Sequence, residues 1–311
     1  MGRAEIALDC RNLHGEGVFW NDRDGRLWWT DIHGKKLWWF KPEGGKSASI
    51  AMPDRVCCFA PRRSGGFIVA FAKSVAFFDP DSGSISEIYR FETDQSDTRL
   101  NDGRTDRQGR FIAGGMNEGS GSPTSTVIRV DPDGSVTTVI SGVSCANSTC
   151  FSPDGRRMYF ADSPVREIWR YDYDVETGVP SNRRILADLN RDSGVPDGSC
   201  VDAEGAVWNA VWEGRRVIRV LPDGTVDQVV EVPTLKPTCC TFGGADLATL
   251  YITTSQLGST PEQLAAEPSA GSPSLSDREC GASPTRRSPD EPTPEDEVGR
   301  SHMKIAWQLR A

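Results

Sequence analysis

The sequence predicts an all-β chain folded as a six-bladed β-propeller whose last blade is short or incomplete. Three observations lead there. A phrase made of a polar turn, an apolar strand, a second turn and a second strand recurs along the chain. Its turns, at positions 25, 65, 109, 155, 205 and about 247, lie about 40 to 50 residues apart, the period of a four-stranded blade. No segment keeps the i, i+3, i+4, i+7 apolar pattern for three turns, so helices are minor.

The copies can be read in order. Asp24-Gly25 leads into Arg26-Leu27-Trp28-Trp29, and Lys36-Leu37-Trp38-Trp39-Phe40 follows. Gly65-Gly66 leads into Phe67-Ile68-Val69, with Val75-Ala76-Phe77-Phe78 behind it. Gln108-Gly109 precedes Arg110-Phe111-Ile112-Ala113 and then Thr126-Val127-Ile128-Arg129-Val130. Asp154-Gly155 precedes Met158-Tyr159-Phe160 and Ile168-Trp169-Arg170-Tyr171. Glu204-Gly205 precedes Ala206-Val207-Trp208 and Val217-Ile218-Arg219-Val220. The sixth, Leu247-Ala248-Thr249-Leu250-Tyr251-Ile252-Thr253, begins and then loses its partner. Each strand is short, rich in Val, Ile and aromatics, and bounded by turn residues. A β-sandwich shares those features but does not return one phrase at this period.

Residues 256–311 change character. They hold seven of the chain's 20 prolines, and Trp307 is their one Phe, Tyr or Trp. Such a stretch buries too little apolar area to offset its ordering entropy. The reading is therefore a propeller domain over 1–271 and a divergent, disordered tail over 272–311, with no regular strand from about 272 onward.

Composition narrows the class. A net charge of −9 leaves no basic footprint for nucleic acid. No apolar run suits a signal peptide or a membrane span, so the expectation is a cytoplasmic protein, monomeric or weakly self-associating. Nine cysteines, an odd number in a chain read as intracellular, are expected to be free thiols. Alternation along a strand would turn one thiol of Cys57-Cys58 and one of Cys239-Cys240 inward. There is no Cys-x-x-Cys.

Three histidines, His14, His33 and His302, cannot build a His-rich zinc site, and none accompanies a Gly-x-Ser-x-Gly elbow. There is no phosphate loop and no dinucleotide fingerprint. The remaining tools are carboxylates, amides and arginines. In a propeller, the loops entering the innermost strands converge on one mouth of the central channel. Candidates at matching places are Glu16, Asn101, Asn147 and Asp197. Taken singly, Asp197-Gly198 and Asp102-Gly103 read equally as turn dipeptides, Glu16 as a solvated loop acid and Asn147 as a turn cap. Their recurrence at one place per blade makes the joint case. Two carboxylates with two amide oxygens are a hard set suited to Ca²⁺, Mg²⁺ or Mn²⁺, and carboxylates also bind Zn²⁺.

At these residues the chain resembles the senescence marker protein/gluconolactonase/luciferin-regenerating family. The matching stretches are Gly15-Glu16-Gly17-Val18-Phe19-Trp20, Leu27-Trp28-Trp29-Thr30-Asp31-Ile32, Arg99-Leu100-Asn101-Asp102-Gly103, Gly109-Arg110-Phe111-Ile112-Ala113-Gly114-Gly115-Met116, Ala146-Asn147-Ser148, Tyr159-Phe160-Ala161-Asp162-Ser163 and Val195-Pro196-Asp197-Gly198. The family usually has Pro where this chain has Val18, and its final apolar strand has no counterpart after Gly271.

The resemblance implies a lactonase with one divalent metal ion (Ca, Zn, Mn or Mg) held by Glu16, Asn147 and Asp197. It places Arg99, Asn101 and Glu118 at the substrate, a small sugar lactone. In the implied mechanism the metal acts as a Lewis acid on the lactone carbonyl while Asp197 orients or deprotonates water. The stretches around Arg99–Gly103 and Met116-Asn117-Glu118 resemble arabinono- and related aldonolactonases, so L-arabinono-1,4-lactone or gluconolactone is the expected substrate. Two other readings stay open: a non-catalytic ligand- or metal-binding propeller, and a propeller that cleaves phosphotriesters.

Overall fold

In the computed structural model, which describes residues 2–277, the strands form six sheets arranged as the blades of a propeller. The recurring phrase of the sequence supplies the second and third strands of blades 1 to 5 and the second strand of blade 6. In blade 1 these are Arg26–Asp31 and Lys36–Lys41, flanked by an innermost strand Gly15–Asn21 and an outermost strand Lys46–Ala51. The innermost strands of blades 2 to 6 are Val56–Pro61, Thr98–Thr105, Ala146–Phe151, Val195–Val201 and Pro237–Gly243. Each touches the innermost strand of the next blade, and the sixth touches the first, so the ring closes.

Six hydrophobic clusters hold the blades together, one between each neighbouring pair. Both faces of the second strand of each blade are therefore covered, and these strands are buried in continuous runs rather than at alternate residues. Phe67–Phe71 is buried at every residue. The same geometry corrects the expectation for the cysteine pairs. Cys57 and Cys58 are both buried, as are Cys239 and Cys240, because a blade has no solvent face at its inner strands.

The end of the chain departs from expectation most. Residues 256–277 are built into the structure, with a short helix Pro261–Ala266 and a strand Ser274–Asp277. The helix starts on a capping box in which Thr260 and Gln263 satisfy each other's backbone N–H groups. The strand pairs on one side with Thr249–Thr254 and on the other with the N-terminal strand Glu5–Ile6. The reading that no regular strand forms beyond about 272 is thus corrected, and blade 6 has its four strands. A strand held by ladders on both sides needs backbone partners more than apolar residues, and a Ser-rich segment supplies them. Small side chains also suit the crowding: the carbonyl oxygen of Gly271, at φ +81°, accepts from Asn12 N–H at 2.8 Å, and a Cβ there would lie 2.1 Å from Asn12 O. The expected tail from 278 to 311 lies outside the described residues.

Candidate active site

Every innermost strand carries one extra residue at the same level. The pairing with the second strand slips between Glu16 and Phe19, Val56 and Cys58, Leu100 and Gly103, Asn147 and Cys150, Pro196 and Ser199, and Pro237 and Cys239. A bulge leaves one residue unpaired and re-aims its neighbours. Six bulges in a ring thus turn side chains toward one point on the channel axis. Gly17 and Ser148 accommodate it by adopting positive φ, 59° and 58°.

Glu16, Asn147 and Asp197 stand at this level, 7, 5 and 6% exposed. The Glu16 carboxyl lies close enough to Asp197 for its charge to act on it. Burial, the charge of Glu16 and that of Asp102 push Asp197 well above the usual carboxylate range. Burial and then the charge of Asp102 raise Glu16 in turn. Glu16 also accepts from Gly17 N–H at 2.8 Å. The Asp197 backbone is pinned through its carbonyl by Ser148 Oγ at 2.7 Å and Asn209 Nδ2 at 2.9 Å. Asn147 Nδ2 donates to Ser163 Oγ at 2.8 Å, which in turn donates to Pro196 O at 2.7 Å. That bond points the Asn147 Oδ1 away from Ser163, toward Asn101, whose Nδ2 lies 3.2 Å from it.

Asn101 and Arg99 form the next part of the mouth. Arg99 Nη1 donates to Asn101 Oδ1 at 2.7 Å, and Arg99 Nε to Glu118 Oε1 at 2.7 Å. Arg55 Nη1 completes the cluster, 2.9 and 3.0 Å from the two Glu118 oxygens. Burial pushes the Glu118 carboxyl up, but the two guanidiniums outweigh it and hold it below its usual value. The structure therefore gathers all six candidates, Glu16, Arg99, Asn101, Glu118, Asn147 and Asp197. They separate into a carboxylate-lined centre and an arginine-lined rim.

Several residues at the mouth were not singled out from sequence. Asp31 accepts from the N–H groups of Leu13, His14 and Gly34 at 3.1, 2.9 and 3.0 Å, fixing the loop that leads to Glu16. Asp162 repeats the device in blade 4, accepting from Ser144 and Cys145 N–H at 3.0 and 2.8 Å just ahead of Asn147. The available signal was an Asp closing the second strand in both blades. His14 and His33 also lie here, with ring centroids 5.6 Å apart, and Trp212 packs edge-on to His14 at 5.7 Å. No sequence pattern joins Trp212, which ends the second strand of blade 5, to the two histidines of blade 1.

Whether a divalent metal suits this centre can be judged from its donors. Among the described residues no three His, Cys, Asp or Glu side chains gather as a metal cluster. The set here holds two carboxylates and one amide oxygen. Neither Glu16 nor Asp197 makes an ion pair among the described residues. Two buried carboxyls that make no ion pair, at the same level as an amide oxygen, fit a hard divalent cation.

A ring of six blades, with buried carboxylates at one channel mouth and arginines on its rim, defines a six-bladed propeller with a polar, charged site at one mouth. The chain belongs to the SMP-30/Gluconolactonase/LRE-like family, whose pattern matches residues 14–256. It is 40% identical to an L-arabinolactonase of Azospirillum brasilense, over 87% of this chain and 90% of that one. It is 36% identical to a 6-deoxy-6-sulfogluconolactonase of Pseudomonas putida, over 83% of this chain and 88% of the other. Among solved structures, a calcium-binding protein, regucalcin, from Agrobacterium tumefaciens superposes with a TM-score of 0.85 at 28% identity, covering 88% of this chain and 93% of that one. No described helix is long and apolar enough to cross a membrane.

Proposed function

We propose that this chain hydrolyses an aldonolactone, L-arabinono-1,4-lactone or gluconolactone, using one divalent metal ion held by Glu16, Asn147 and Asp197. The observation that supports this best is the buried Glu16–Asp197 pair beside Asn147, opening toward Arg99 and Asn101. Similarity to proteins named as lactonases supports the bond type. When bound, a divalent ion of the Ca, Zn, Mn or Mg kind supplies Lewis-acid polarisation of a carbonyl oxygen.

The chain's own groups supply the rest. Arg99 and Asn101 hold the ring hydroxyls of the sugar, and Glu118 keeps Arg99 in place through the 2.7 Å ion pair. Asp197 takes the proton of the attacking water. Its backbone is fixed by Ser148 and Asn209, so the carboxylate keeps its aim while the substrate enters. The departing group is an alkoxide that remains tethered to the product and needs only a proton from solvent.

The test is a hydrolysis screen over aldonolactones and an organophosphate triester, after chelation and after re-addition of Ca²⁺, Mn²⁺, Zn²⁺ or Mg²⁺. Lactone turnover that chelation abolishes and metal restores is expected. Turnover of the triester alone, or of nothing, would replace this reading with one of the other two.

A further inference from the structure

Two buried charges at the site are left without a role by the reaction. Arg104 leaves the innermost strand of blade 3 three residues beyond Asn101, about 10 Å further down the channel. Its guanidinium crosses the axis. Nη1 donates to Val18 O of blade 1 at 2.8 Å, and Nη2 reaches Ser199 O of blade 5 at 3.4 Å and Cys239 Sγ of blade 6 at 3.2 Å. Val18 and Ser199 each follow a candidate ligand, Glu16 and Asp197, by two residues. Arg104 therefore fills the layer immediately beneath the carboxylate pair. No carboxylate forms an ion pair with it among the described residues.

Asp102 is the second charge. It is 6% exposed, accepts from Thr149 N–H at 2.8 Å, and its charge acts on both Glu16 and Asp197. The charge of Arg104 acts on Glu16 in the opposite sense. Across these two layers there are three carboxyls, Glu16, Asp102 and Asp197, and one guanidinium, Arg104. With the carboxyls ionised the sum is −3 + 1 = −2, the charge that one divalent cation neutralises. The rim of Arg55, Arg99 and Glu118 is ion-paired within itself, and the charge of Arg99 acts on Glu16 as a smaller cause than that of Arg104.

We infer that Asp102 and Arg104 are opposed positioning charges that set how tightly, and with what charge, a cation is held between Glu16 and Asp197. Neither is assigned to the ligand set. Asp102 deepens the negative potential at the centre, and Arg104 limits it so that a divalent ion is sufficient. At the short separations inside a channel, a single charge change alters cation affinity severalfold to hundreds of fold. The inference rests on the metal reading above.

The test is titration calorimetry of the chelator-stripped full chain with Ca²⁺ and, separately, with Tb³⁺, at one pH. Arg104→Met is expected to bind Ca²⁺ at least about tenfold more tightly and to gain still more for Tb³⁺. Asp102→Asn is expected to lose about as much, and Arg104→Lys to stay near wild type. The double variant, Asp102→Asn with Arg104→Met, should return toward wild-type affinity. Circular dichroism melts of each variant identify any that does not fold, and the remaining variants still give the sign. Weaker binding in both single variants would show two structural pins and overturn the inference. Absence of Ca²⁺ and Tb³⁺ binding by the wild-type chain would instead overturn the metal reading itself.

Discussion

Asn101 reaches Asn147 across the gap between blades 3 and 4, its Nδ2 lying 3.2 Å from the Asn147 Oδ1. Together with a bond from the same Nδ2 to Ala146 O at 2.9 Å, this contact joins the arginine-bearing rim to the carboxylate centre. Arg99 orients the Asn101 amide by donating to its Oδ1, and Ser163 orients Asn147 by accepting from its Nδ2. The row Glu118–Arg99–Asn101–Asn147–Ser163 is thus continuous, and a change at either end is felt at the other.

Asp197→Asn keeps the shape of the side chain but removes the negative charge and the proton acceptor. Lactone turnover is expected to fall by about a thousandfold or more. Without metal, the melting temperature should not drop, because the variant no longer buries a second carboxyl against Glu16. Measuring kcat alongside a thermal melt checks both halves. Near wild-type turnover would remove Asp197 from the mechanism.

Arg99→Ala cuts the row at the rim. KM for aldonolactones should rise by roughly tenfold or more, since a charge-assisted contact to the polyol is lost. Glu118→Gln should give a smaller rise in the same direction, because Arg55 and Arg99 lose their shared anchor. Steady-state kinetics on both variants decides this. Unchanged KM in Arg99→Ala would mean the sugar sits elsewhere.

His14 gives a pH signature. Burial, then the nearby charge of Arg99, holds its pKa well below the ordinary 6.5. In the unfolded chain the imidazole takes up a proton as pH falls through 6.5, while the folded protein resists it. Stability is therefore whole above 6.5 and declines as pH drops below it. His14→Gln should flatten the decline between pH 6.5 and 5, read from urea midpoints. An equally steep decline in the variant would assign the effect to other groups.

Asp31→Ala strands the N–H groups of Leu13, His14 and Gly34 at the entrance to the innermost strand of blade 1. A loss of about 2–4 kcal/mol is expected from unmet buried hydrogen bonds. Activity should fall as well, because Glu16 sits two residues beyond His14 in the chain. A denaturant midpoint equal to wild type would show the loop held by other contacts.

Ending the chain at Gly271 tests closure. The truncation removes Ser274–Asp277, which bridges Thr249–Thr254 to Glu5–Ile6. It should melt well below a chain ending at Asp277, since two strand edges are left unpaired. Equal melting temperatures would show that blade 6 does not depend on its third strand.

Six blades were legible in the sequence because each must turn at a Gly or polar residue and then cover two faces with apolar strands. Glu16, Asn101, Asn147 and Asp197 could be picked out for a related reason, since each stands at a matching place on an innermost strand, whereas the choice of Glu16, Asn147 and Asp197 as ligands came from the family resemblance. Other features left no such trace. The strand Ser274–Asp277 has little apolar content, and its paired residues, such as Ile252 with Ser274 and Glu5 with Leu275, lie far apart in the chain, so only the closed ring decided it. The burial of both thiols in Cys57-Cys58 followed from blade stacking, which local alternation cannot express. Nor could spacing along the chain place Arg104 against residues 18, 199 and 239, because contacts across the channel depend on how six separate strands converge. Periodic burial is written in the chain itself, whereas the charge balance of the channel arises only where the blades meet.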